Sequence, residues 1–212
     1  MKNNSRLQNR SDVHLARKAW HFIGVLMIAA LYNSLSRPMV LQLFSFTAAV
    51  SIFIDLYRQR SPGFNKFVIS IMRYIMRESE KESIAGTTYL FLGVLLIVAV
   101  FPTSVVTLSL FFLAVADPIA SYFGIRYGKD KLVGNKTLQG SMAAFFVCTL
   151  VAAGYFLSQN MMTERILVVS LLSGLIGAIA EALPVGNLDD NFVLPVVSAC
   201  LLSLVYFLFG GF

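Results

Sequence analysis

The chain reads as long apolar blocks separated by short polar and basic stretches. A membrane-crossing helix takes roughly 20 apolar residues. Seven blocks approach that length: 19–36, 38–57, 84–101, 103–125, 138–157, 166–183 and 192–209. Only Phe101-Pro102-Thr103 separates the third from the fourth. A tight turn fits there, because proline disfavours helix continuation and restricts the residue before it. Between the second and third blocks, Phe64, Phe67, Val68, Ile71, Met72 and Ile75 repeat at the spacing of one helical face. Lys66, Arg73 and Arg77 flank that face, and Ser61-Pro62 is a helix start signal. The pattern predicts an amphipathic helix near 62–77, lying along the membrane surface or packed on the spans as core. The whole chain, 1–212, is predicted to be one all-α membrane domain with about seven transmembrane helices and this one interfacial helix.

Composition and charge sharpen that picture. Hydrophobic residues make up 57% of the chain and charged residues 13%, about half the charged share of a soluble domain, so an ordinary soluble fold is excluded. No small-residue cleavage site follows the first block, which is therefore expected to be a retained span. The N-terminal tail, the second connection and the fourth connection hold all but two of the 17 basic residues. With seven spans those regions share one side, and only Arg37 and Arg165 lie on the other. The positive-inside rule then places the N-terminus in the cytoplasm, and anionic lipid headgroups are expected partners of the basic surface. No nucleic acid is expected, and oligomerisation is left open. Cys148 and Cys200 fall in apolar blocks outside any CxxC pair, which reads as buried, inert thiols.

Carboxylates are expensive at membrane depth, roughly 3 kcal/mol for an Asp at a helix centre, so their positions carry information. Asp55, Asp117 and Glu181 sit toward the cytoplasmic ends of their spans, with His21 just inside the first. Asp189, Asp190 and Asn191 precede the last span on the same side. Ionisable groups from separate segments thus converge on the inner leaflet. Asp117 is followed by Pro118, which is expected to break the helix and free carbonyls that are tolerated beside a polar cavity. An Asp there suits Mg²⁺, a hard cation that takes oxygen ligands and phosphates. The alternative is a kinked helix whose Asp pairs with Arg126 or a lysine.

The connection after Asp117 carries Gly124, Gly128, Gly134 and Gly140 among Arg126, Lys129, Lys131 and Lys136. Glycines let backbone amides approach phosphate closely, and successive amides form an anion-binding concavity. Thr137 and Ser141 open the next span, whose N-terminus attracts anions. The pattern GxxxxGK[ST] does not occur, so this is no Walker loop. Phosphate binding and a plain topology signal are both compatible with these residues. The same choice, phosphate or topology, applies to Arg17 and Lys18. His21 is either functional or an interfacial hydrogen-bonding group.

The stretch Ala116–Ser141, ADPIASYFGIRYGKDKLVGNKTLQGS, resembles a signature shared by CTP-dependent lipid kinases and phosphatidate cytidylyltransferases. Arg17-Lys18-Ala19-Trp20-His21 resembles the RKxxH opening of the kinases, the dolichol, phytol and CTP-dependent diacylglycerol kinases. Glu82 to Tyr89 resembles their Glu…Gly-Ala/Thr-Thr-Tyr segment, and Glu181 with Leu188–Pro195 resembles their closing E…DDNxxxP motif. The C-terminal KD…PGHGG…DR motif of the cytidylyltransferases does not occur. One residue departs: Gln139 stands where the kinases commonly have Glu, so no role of that carboxylate carries over.

The resemblance implies phosphoryl transfer from a nucleoside triphosphate, usually CTP, to the hydroxyl of a membrane lipid such as diacylglycerol, a polyprenol or phytol. It implies Asp117, His21 and Glu181 as catalytic residues. Gly124, Gly128, Lys131, Gly134, Lys136, Thr137, Gly140, Arg17 and Lys18 would then bind nucleotide, and Asp117, Asp189, Asp190 and Asn191 would hold Mg²⁺. Of the carboxylates at 78, 80 and 82, only Glu82 gains from its motif position. The expected location is a bacterial or archaeal plasma membrane, with the site facing the cytoplasm. The rivals are synthesis of a CDP-activated lipid and ion-coupled transport.

Overall fold

The computed structural model describes residues 15–211. Lys2, Arg6 and Arg10, which entered the orientation argument, lie outside them. The apolar blocks are α-helices: α1 (Leu15–Ser34), α2 (Arg37–Arg60), α4 (Gly86–Val100), α5 (Thr103–Tyr127), α6 (Leu138–Ser158), α7 (Ile166–Ala182) and α8 (Asp190–Phe209). The amphipathic segment forms α3 (Pro62–Met72). Pro102 is extended and opens α5 directly after α4, giving the expected tight turn.

Helix α5 is the centre. Its residues from Val105 to Ala116 are mostly buried, and it packs against α1, α6 and α8. Helices α5 to α8 close into a bundle; α4 leans on α8 and α2 leans on α4. Outward-facing apolar side chains such as Phe46, Phe53, Leu150 and Phe207 remain exposed, as a lipid-facing surface requires.

Among the described residues, five of the seven expected spans are by length and composition apolar enough to cross a membrane: α2, α5, α6, α7 with its leading turn from Thr163, and α8. Helix α1 is not among them, since Arg17, Lys18 and His21 lie near its start. Helix α4 has only 15 residues. Helix α3 stops at Met72 instead of continuing to 77; a turn follows, and Arg77 is extended with its N–H on the Glu80 carboxylate at 2.7 Å. Pro118 does not break α5, which runs on to Tyr127. Side chains of α1 dock on carbonyls around it: His21 on Leu113 at 3.1 Å and Lys18 on Pro118 at 3.4 Å. Cys148 is buried as expected, but Cys200 is exposed.

Candidate active site

A polar cavity of about 580 Å³ lies where α5 and α7 end and α6 and α8 begin. Helix α5 contributes Asp117, Ser121 and Gly124, spaced to line one face. Glu181 comes from the last turn of α7 and Asp190 from the first of α8. Lys136 reaches in from the connecting loop, with Nζ 2.6 Å from Glu181 Oε1 and 3.0 Å from Asp190 Oδ2. Burial alone would depress the Lys136 ammonium, but Glu181, Asp190 and Asp117 outweigh it and hold its pKa above the usual lysine range. Asp117 is also within electrostatic reach of His21, Arg77 and Arg17.

The loop has its own logic. Gly134 adopts φ +58°, a left-handed turn that suits glycine. Thr137 caps α6 by accepting the Gly140 N–H at 3.2 Å. Gly140 sits so close to α5 that a Cβ would come within 2.7 Å of the Ala120 carbonyl. Gly124 and Gly140 therefore let two helices cross tightly at the cavity wall. Gln139 accepts the Lys129 and Asp130 N–H groups and donates to the Asp130 carboxylate at 2.7 Å. Its amide, with a donor and an acceptor, closes the loop in a way that a carboxylate facing Asp130 could not.

A second network holds the segment between α3 and α4. Arg58 is 1% exposed. It donates to Asp55 at 2.6 Å, to the Glu80 carbonyl at 2.8 Å and to the Ser83 carbonyl. Asp55 accepts the Ala85 N–H and the Thr88 hydroxyl. Thus pinned, Glu80 turns its carboxylate to Arg17 at 3.3 Å and to the Gly86 N–H at 3.2 Å. Arg77, in the same segment, lines the polar cavity and pairs with Asp189 at 3.2 Å.

The structure gathers Asp117, Glu181, Lys136, Thr137, Gly124, Gly140 and Asp190 around one cavity. Gly128, Lys131 and Gly134 are not on its wall; Lys131 pairs with Thr137 through the backbone instead. Asp189 caps α8 and binds Arg77, and burial pushes its carboxyl up against the pull of that arginine. The Asn191 amide donates to the Gly86 carbonyl at 3.1 Å. His21, Arg17 and Asn191 line a separate apolar groove of about 540 Å³ between α1, α2 and α4. A carbonyl only accepts, so His21 bonds Leu113 through a protonated Nε2. Sequence reasoning missed Arg77 and Glu80. Glu80, not Glu82, is the buried carboxylate of its run. Its three-residue spacing from Arg77 matches a capping box, which is a usable signal. Nothing distinguishes Arg77 from the other basic residues of its connection.

Comparison with known proteins decides the family. The chain is 35% identical over 161 residues to CTP-dependent diacylglycerol kinase 1 of Schizosaccharomyces pombe, covering 71% of this chain and 74% of that protein. It belongs to the CTP-dependent lipid kinase family. The protein of the same name from Saccharomyces cerevisiae is 29% identical over 211 residues, covering 90% of this chain and 73% of that one. An uncharacterized protein of Rickettsia prowazekii is 24% identical over 201 residues, covering 92% and 95%. No family model matches the chain, and no solved structure does. The named kinases of this family found here are fungal, so the expected bacterial or archaeal membrane has no support from them.

Proposed function

We propose that the protein transfers the γ-phosphoryl group of CTP to the hydroxyl of a neutral membrane lipid, diacylglycerol, at the cytoplasmic face. The observation that carries this reading is a polar cavity, lined by Lys136 and Arg77, beside an apolar groove, in a chain whose relatives are named CTP-dependent diacylglycerol kinases. Neither CDP-lipid synthesis nor transport is favoured by these relatives. Helices α1 and α4 complete seven spans, and α3 lies along the inner surface. That arrangement is supported by the polar ends of α1, α2, α4, α7 and α8, which are held on one side by the bonds of Arg17, Asp55, Lys136, Glu181 and Asp190.

The chemistry follows from the residues. Lys136, Arg77 and the first amides of α6 neutralise and orient the phosphates. Glu181 and Asp190 already converge on one ammonium. Their oxygen donors fit Mg²⁺ bound through one or two carboxylates and phosphate oxygens, not a closed protein cage. Among the described residues no ready-made group of three metal-ligating side chains exists, which agrees with a metal that arrives with the nucleotide. Bound there, Mg²⁺ would supply charge neutralisation. The lipid oxygen bonds to the γ-phosphorus, the bond to the bridging oxygen breaks, CDP leaves, and Asp117 accepts the hydroxyl proton. Asp117 lines the phosphate cavity itself, whereas His21 lines the neighbouring groove, which makes Asp117 the better-placed base.

The test is a matrix of CTP, ATP, GTP and UTP against diacylglycerol, a polyprenol and phytol, scored for phosphorylated lipid and for the released nucleotide. CDP with phosphorylated diacylglycerol is expected. Release of pyrophosphate would exclude the kinase reading.

A further inference from the structure

Helices α1 and α2 are joined by only two residues, yet they hardly pack on each other. The groove between them is walled by Met27 and Leu31 on one side and by Leu43 and Phe44 on the other. Met27 is 60% exposed and Leu31 42%, so the groove is open along its length to whatever surrounds the helices. Gly24 stands within it, and a Cβ there would meet nothing within 4 Å. A helix-interior glycine weakens its helix by about 1 kcal/mol relative to alanine. Here no tight contact demands it, and its effect is to leave space.

Polarity changes abruptly at one end. Arg17, His21, Glu80 and Asn191 close the groove there. Asn191 adjoins Asp190 of the polar cavity, and His21 lies within electrostatic reach of Asp117. The groove thus has an apolar length and a polar head that abuts the phosphate site. The head offers no spare cation among the described residues that line it. Arg17 is committed to Glu80 and to the Ile75 carbonyl at 2.6 Å. An anionic headgroup gains little at such a neutralised end, whereas a hydroxyl can bond His21 or Asn191.

We infer that this groove seats one hydrocarbon chain of an uncharged lipid alcohol, with its hydroxyl at the His21 end facing Asp117, and that it discriminates against the phosphorylated lipid. The inference rests on the kinase reading for the hydroxyl's fate, but the seating of the chain stands apart from it. The acceptor enters sideways from the bilayer through the gap between α1 and α2. The phosphorylated product loses its place because the groove end has no free positive charge to hold it.

Two experiments test this in nanodiscs. Gly24→Phe fills the groove. Its apparent KM for dioleoylglycerol is expected to rise about tenfold for every two methylenes displaced, with a smaller rise for dihexanoylglycerol, whose short chains have fewer methylenes to displace, and with the KM for CTP held. An equal loss with both acceptors, or no loss with either, overturns the inference. The wild-type protein, without nucleotide, is also photolabelled with a diacylglycerol carrying a diazirine in its acyl chain. Adducts on Met27, Leu43 or Phe44, displaced by unlabelled diacylglycerol but not by phosphatidate, are expected. Adducts only elsewhere, or equal displacement by phosphatidate, overturn it. If the wild type transfers nothing from CTP, the kinase reading fails, while the photolabelling still reports on the groove.

Discussion

Lys136 Nζ lies 2.6 Å from Glu181 and 3.0 Å from Asp190, so one ammonium joins the loop before α6 to the end of α7 and the start of α8. Lys136→Ala removes that charge from the phosphate cavity. A hydrogen bond to a charged group is worth about 1.5–3 kcal/mol, or about ten- to a hundredfold in affinity. The apparent KM for CTP is expected to rise by that factor while the KM for the lipid holds. Steady-state kinetics with each substrate varied in turn separate the two. An unchanged requirement for CTP would remove Lys136 from nucleotide binding.

Asp117→Asn keeps the shape of the side chain but cannot take a proton. A positioned general base contributes about 10²–10⁴ in rate, and kcat is expected to fall by that much with CTP binding retained. Equilibrium binding of a CTP analogue, beside turnover, checks both halves. Near-normal kcat would assign the proton to another group.

Arg58 donates to the Asp55 carboxylate and to the carbonyls of the segment that presents Glu80 and Arg77. Arg58→Ala leaves Asp55 charged, buried and unpaired, a loss of about 3–5 kcal/mol. The melting temperature in detergent should drop clearly, and the double variant Asp55→Ala/Arg58→Ala should recover part of the drop, because the pair is coupled. A melt that does not move would mean that this network is dispensable.

Chelation provides a fourth check. With the divalent ions stripped by EDTA, transfer is expected to stop and to return on adding Mg²⁺, while the melting temperature without nucleotide stays put. Glu181 and Asp190 are already held by Lys136, so the fold does not need the metal. Transfer that persists in EDTA would count against any metal in the reaction.

Gln139 closes the loop through Asp130 and sits outside the cavity wall. Gln139→Glu sets two carboxylates together near the surface, where such changes are worth about 0.5 kcal/mol. Turnover is expected to shift by no more than about twofold. A large gain would mean that the substituted side chain enters the site.

Helices were readable from the sequence because apolar blocks and Pro102 mark their ends, and α1 to α8 fall within a few residues of those marks. Asp117, Glu181 and Asp190 were readable because a carboxylate at membrane depth has few structural reasons to be there. Glu80 and Arg77 were not. Both lie in a charged surface run, and what sets them apart is a capture by Arg58 and Asp189, which are distant in sequence. The glycines were read for phosphate contact, yet Gly124 and Gly140 also serve a helix crossing that no spacing rule reveals. Helix α4 came out shorter than its block, since 84–101 gives its first residues to the segment tied down by Asp55.

That shortness has a consequence for the bilayer. Fifteen helical residues rise about 22 Å, against a hydrocarbon core of about 30 Å. With α4 as one of the proposed spans, a membrane wrapping its side would pinch inward, at a modest cost per ångström of mismatch. The groove opens on that same side. Headgroups drawn down there would carry an acceptor's hydroxyl toward His21 before any protein contact forms. The protein would then use the local deformation of its own solvent to bring an oily alcohol and a water-borne phosphate to the same depth.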